Sequence, residues 1–149
     1  GVTYLFTDLV SGLLHLVLDN PNFLGQQPID PLVRGFQIHH IDPTLIYKME
    51  LLDHLRPMAS PLVIVWACQK PAENLTGRTL PLFHAYCLSL SFCIIWMQCC
   101  HRWAHMTPRM RGPIIRYLQK VRLALPASTH LKHHVSPFQI NFCITNGCF

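Results

Sequence analysis

Leu80 to Cys100 reads LPLFHAYCLSLSFCIIWMQCC, 21 residues without a charge. At 1.5 Å of rise per residue, a helix of this length covers a hydrocarbon core of about 30 Å. The stretch runs directly into Arg102 and a basic half, so the positive-inside rule puts His101 and everything after it on the cytoplasmic or stromal side. The other reading of the same letters is the buried core helix of a soluble protein.

Outward from this segment, composition agrees with a membrane. Half of the 149 residues are apolar and only 13% are charged, about half the usual share for a soluble domain. All seven acids lie at or before Glu73, and seven Lys/Arg follow His101. A basic half suits nucleic acid or anionic lipid headgroups; the apolar run just before it selects lipid, and no nucleic-acid partner is expected. Tyr4 to Asp19 reads as a second, mostly apolar helix whose Asp8, His15 and Asp19 share one polar stripe. Pro57 to Cys68 is apolar but too short to span alone, and suits a re-entrant segment or half of a hairpin with Leu80 to Cys100. Asn20 to Pro31, with three prolines and a glycine, reads as a connection, and Gln69 to Thr79 as a short polar turn. Arg109 to Leu125 alternates apolar and basic residues at spacings near three and four, the pattern of an amphipathic helix lying on headgroups.

The seven cysteines make no framework. Four fall inside the apolar run, where thiols behave as small hydrophobes, and no C-x-x-C pair exists for zinc or redox work, so a reducing compartment is expected. The chain starts at Gly1 without Met, and is expected to be a fragment of a longer protein, one domain over residues 1–149 with N- and C-terminal parts missing. Asn74-Leu75-Thr76 matches a glycosylation sequon, a pattern that recurs by chance.

Eight of the ten histidines cluster: His15 with Asp19, His39-His40, His101-x-x-x-His105, and His130-x-x-His133-His134. Residues four apart on a helix point the same way, which is how one helix offers two ligands to a metal. Eight imidazoles exceed the needs of one ion, so the set points to a dinuclear site. Zinc is ordinarily content with four ligands and often draws on cysteine; nitrogen and oxygen ligands with open positions are how non-haem iron activates dioxygen, and iron is preferred.

Five motifs, in order, carry a resemblance over nearly the whole chain: Asp8-x-x-Ser11-Gly12-x-x-His15-x-x-x-Asp19, Phe36-x-x-His39-His40-x-x-Pro43, His101-x-Trp103-Ala104-His105, His130-x-x-His133-His134, and Asn141-Phe142-Cys143-Ile144. They resemble the lipid desaturase family, whose branches include animal plasmanylethanolamine desaturases, a bacterial counterpart in carotenoid regulation, and plant plastid palmitoyl-phosphatidylglycerol desaturases. The resemblance implies an all-α, integral membrane helical bundle with a histidine-rich di-iron site at the cytoplasmic or stromal face. It implies two iron ions, dioxygen as co-substrate, and introduction of a carbon–carbon double bond into the acyl or alkyl chain of a membrane phospholipid. Its metal ligands would be His15, His39, His40, His101, His105, His130, His133 and His134, with Asp19 as a further ligand or orienting acid and Asp8 behind them. The membrane would be that of the endoplasmic reticulum or the plastid.

Removing hydrogen from an unactivated methylene is beyond any side chain acting as acid or base, so a metal must carry the oxidation. No haem-attachment, ferredoxin or flavin motif is present, so electrons are expected from an external donor, cytochrome b5-like or ferredoxin-like. Leu13, Leu14, Val17, Phe92, Ile95 and Trp96 are candidates for the walls of a lipid-chain slot or for lipid-facing packing; Trp103 is a candidate tunnel wall or interfacial anchor. Against the family pattern, Leu16 and Cys148 replace tryptophans, and Arg122 and Phe138 replace histidines of the animal branch. Two other readings stay open: a histidine-rich membrane hydroxylase, and a non-catalytic or degenerate metal-binding membrane protein.

Overall fold

Pro81, whose missing N–H costs nothing in a first helical turn, starts the longest element of the computed structural model, α7 (Pro81–His105). The structure describes residues 1–20 and 31–148, and all regular structure among them is helical. The connection expected over 20–31 lies almost wholly outside the described residues. Helix α7 runs on past the uncharged stretch, so His101 and His105 sit on its last turns. The second apolar helix, α1 (Val2–Asp19), forms as expected. Both are long and apolar enough to cross a membrane, yet only 28% of α1 and 22% of the α7 window are buried. A soluble core helix would be mostly enclosed; here Leu5, Leu9 and Leu13 of α1 and Leu88 and Phe92 of α7 are exposed.

Between them, α2 (Pro31–Ile41) carries the His39-His40 pair. Then α3 (Leu45–Lys48), α4 (Leu51–Leu55), a 3-10 turn (Arg56–Met58) and α5 (Ala59–Ala67) climb back along α7 in the opposite sense. The hydrogen bonds show the direction: Arg102 donates to the carbonyls of Ile46 and Tyr47 at 2.7 and 3.1 Å, His54 Nε2 to that of Gln98 at 3.0 Å, and Trp66 Nε1 to Ser91 Oγ at 3.0 Å. The Pro57 to Cys68 segment is thus half of a hairpin with α7, one of its two expected forms.

Two expectations need correction. Gln69 to Thr79 is no turn: it holds α6 (Gln69–Thr76), ended by Gly77 in the left-handed region (φ 64°), whose N–H caps the Glu73 carbonyl. Polar side chains hid the helix from a reading based on apolar periodicity. The long amphipathic helix over Arg109 to Leu125 shrinks to α8 (Pro113–Lys120). Beyond it Arg122 turns left-handed (φ 60°), and Ala124 and Leu125, both 0% exposed, enter the core. Burying Leu125 alone is worth about 2 kcal/mol, more than a further helical turn on the surface offers.

That core is small: Met97, Cys100 and Ala104 of α7 meet Ala124, Leu125 and Ile144, with Trp96 and Trp103 packed against it. Trp103 is therefore a core residue, its ring 5.3 Å from that of Trp96, whose Nε1 donates to the Leu123 carbonyl at 3.1 Å. Leu13, Leu14, Phe92 and Ile95 are exposed; Trp96 is not. The last helix, α9 (Ala127–His133), leads into a hook whose residues 143–146 are all buried.

Asp8 holds the hook. Its Oδ1 accepts the N–H of Thr145 and Asn146 at 2.9 and 3.0 Å, and its Oδ2 that of Cys148 at 3.3 Å. Ser11 Oγ accepts the Ile144 N–H at 3.1 Å and donates to the Asp8 carbonyl at 2.6 Å. One turn on, Gly12 lies against Cys143, and a Cβ there would land on its sulfur. The first and last of the five motifs are one clamp.

Candidate metal centre

Four helices and one following residue deliver side chains to one cluster: α1 brings His15 and Asp19, α2 His39 and His40, α7 His101 and His105, α9 His130 and His133, and the residue after α9 is His134. One group is formed by His39, His101, His105, His130 and His134, a second by His15, Asp19 and His133; in each, one donor atom per residue lies within 4.8 Å of all the others. The groups adjoin, with the His15 ring 5.3 Å from that of His101 and the His133 ring 5.5 Å from that of His130. His40 sits between them, its ring 4.5 Å from that of His134 and 4.7 Å from that of His133. All nine residues singled out in the sequence are brought together. His54 and His84, the two histidines outside the clusters, are held elsewhere, His54 on Gln98 and His84 Nε2 at 3.0 Å from Glu73 Oε1 beside α6.

In the first group the Nε2 atoms converge. His101 to His105 is 3.1 Å, His105 to His130 2.8 Å and His130 to His134 3.2 Å. Two nitrogens bound side by side at about 2.1 Å from one ion stand about 3 Å apart. Burial holds His130 and His134 well below the ordinary imidazole value, and the neighbouring histidines push the same way. Both are neutral lone-pair donors at neutral pH, the form a metal takes.

The second group makes the same point through its acceptors. His133 Nδ1 donates to the Ile140 carbonyl at 2.9 Å, which leaves Nε2 facing Asp19 Oδ2, 3.1 Å away. Asp19 Oδ1 lies 3.0 Å from His40 Nε2. With the His133 and Asp19 side chains 0% and 3% exposed, this buried carboxylate faces imidazole nitrogens from two sides, the nitrogen-and-oxygen donor set a cation can use. The donor set fits two metal ions of the kind that nitrogen and oxygen ligands hold.

One part of the site was not legible in the sequence, and one expected part acts differently. Ile140 acts only through its backbone oxygen, which fixes the His133 tautomer and leaves no trace in a side-chain pattern. Asp8, expected behind the ligands, takes the backbone of 145–148 instead; it reaches the site by holding the hook that follows Ile140.

A family model described as the lipid desaturase domain matches residues 4–149. The chain belongs to the lipid desaturase family. Among curated relatives, fatty acid desaturase 4 of the Arabidopsis thaliana chloroplast is 29% identical over 98% of this chain and 44% of its own length. Plasmanylethanolamine desaturase of Myxococcus xanthus is 28% identical over 97% of this chain and 50% of its own, and plasmanylethanolamine desaturase 1 of Mus musculus 27% over 96% and 54%. The chain thus spans about half the length of the lipid desaturases it resembles. No solved structure matches it.

Proposed function

We propose that this chain is the metal-binding core of a membrane lipid desaturase that uses dioxygen and two external electrons to remove two hydrogens from adjacent methylenes in a glycerophospholipid chain. Family membership supports the reaction class. The observation that carries the rest is the convergence of seven imidazoles and Asp19 in two adjoining groups, with His40 against Asp19 between them. His39, His101, His105, His130 and His134 would hold one iron; His15, Asp19 and His133 the other, with His40 against Asp19. Two irons there would supply the dioxygen and one-electron chemistry that side chains lack.

The chain's own residues do the rest. Ile140 keeps the His133 Nδ1 proton in place and so aims Nε2 inward. Burial of His15, His101, His130 and His133, each at most 5% exposed, keeps bulk water from the oxidising site. Helices α1 and α7 would cross the bilayer of the endoplasmic reticulum or plastid, with the cluster facing cytosol or stroma, where a cytochrome b5-like or ferredoxin-like donor can reach it. Elemental analysis of the full-length, detergent-purified protein tests this: two irons per chain are expected, and one zinc with negligible iron would sink the di-iron reading.

A further inference from the structure

The basic half does more than coat a surface. Between α8 and the start of α9 lies an open notch of about 470 Å³, and four of the residues lining it are cations: Arg111, Arg116, Lys120 and Arg122. Among the described residues no carboxylate pairs with any of them, and the sequence holds none after Glu73. Four like charges around one hollow repel one another unless an anion joins them. The walls are fixed. Arg111 donates to Gln119 Oε1 at 3.0 Å, and Gln119 Nε2 to the Leu125 carbonyl at 2.9 Å, so the guanidinium is tied to a core residue. Its buried Nε has no hydrogen-bond partner. Arg122 is held left-handed (φ 60°), a conformation most side chains avoid.

We propose that this notch is a phosphate-binding site that holds the headgroup of a phospholipid beside the histidine cluster. Arginine forks match phosphate oxygens in pairs, and lysine adds a point charge. The neighbours choose lipid over a soluble anion: Ile114, Tyr117 and Leu123, which flank the cations in sequence, are 73%, 64% and 51% exposed and suit the acyl side of an interface. Ser128 lines the notch two residues before His130 on the same short helix, so the wall of the notch and a metal-cluster residue move as one body. The inference rests on the phospholipid substrate proposed above, but its test needs no turnover.

Full-length protein in a maltoside detergent is titrated with dioctanoyl phosphatidylglycerol, dioctanoylglycerol and inorganic phosphate, followed by tryptophan fluorescence, with iron content measured on the same samples. The phospholipid should bind at least about tenfold more tightly than either of the others. The double variant Arg116→Gln with Arg122→Asn, the asparagine chosen because it tolerates a positive φ, should weaken phospholipid binding about tenfold; the double variant Lys70→Gln with Arg78→Gln, an equal loss of charge elsewhere, should not. Equal binding of dioctanoylglycerol, equal binding of free phosphate, or an unaltered double variant would overturn the site. A double variant that keeps lipid affinity but is reduced more slowly by an acidic electron carrier would reassign the notch to a protein. Iron-free protein that still discriminates the lipids would support the notch while removing the di-iron reading.

Discussion

At position 12 a single hydrogen atom in place of a methyl lets α1 touch the C-terminal hook. A Cβ built there meets Cys143 Sγ, with Cys143 N and Cα at 3.5 and 3.6 Å in ordinary contact behind it. Gly12→Ala should therefore destabilise the protein by about 1–3 kcal/mol, and Cys143→Ala in the same molecule should restore part of the loss. Thermal unfolding of the two single variants and the double variant in detergent checks this; strictly additive losses would show that the two residues do not share the space. At the same scale, His101→Ala and His130→Ala should each cut turnover by roughly a hundredfold or more and lower bound iron. His84→Ala should be mild, because His84 pairs with Glu73 about 25 Å back along α7. Equal loss in all three would disprove the grouping of the histidines.

Helices α6 and α8 show where apolar periodicity misleads at the level of elements. Helix α6 has a Lys70–Glu73 pair at i, i+3 and a glycine stop, but no apolar stripe to announce it. Nothing lies within 4 Å of a Cβ built at Gly77, so Gly77→Ala changes only backbone strain and should cost about 1 kcal/mol; Gly77→Asn should cost less. Equal melting of all three proteins would show that the cap does not contribute. The periodicity of Arg109 to Leu125 continues past Lys120, yet the helix stops, because Leu125 belongs to a core that contains Met97 and Ile144 and no local rule knows of it. Helix α7 overruns its uncharged stretch for the opposite reason: Arg102 satisfies its charge on the Ile46 and Tyr47 carbonyls, so the helix has no need to end at the first cation.

Over the whole molecule, one cluster is built from α1, α2, α7 and the α9 region, so with α1 and α7 crossing a bilayer as proposed above, all of these would present their histidines to one membrane face. Gly35, four residues before His39, and Ser128, two before His130, are both exposed. In a background with the exposed thiols Cys68 and Cys148 changed to serine, single cysteines at these positions should label from the same side of sealed vesicles. Labelling from opposite sides would break the centre and the function drawn from it.

The sequence by itself determined the two long apolar helices, the shared stripe of Asp8, His15 and Asp19, and which nine residues come together in one cluster. Those properties are local: uncharged length, helical spacing and side-chain chemistry are complete within a few turns. Tertiary structure alone decided how the donors divide into two groups, that Asp8 clamps the hook, and that the Ile140 carbonyl sets the His133 tautomer. It also drew Leu125 into the core and left four cations around a hollow. Most of these depend on which distant segment lies alongside, and backbone groups, whether the Ile140 carbonyl or the N–H groups bound to Asp8 and Ser11 across more than a hundred residues, leave no pattern in the letters.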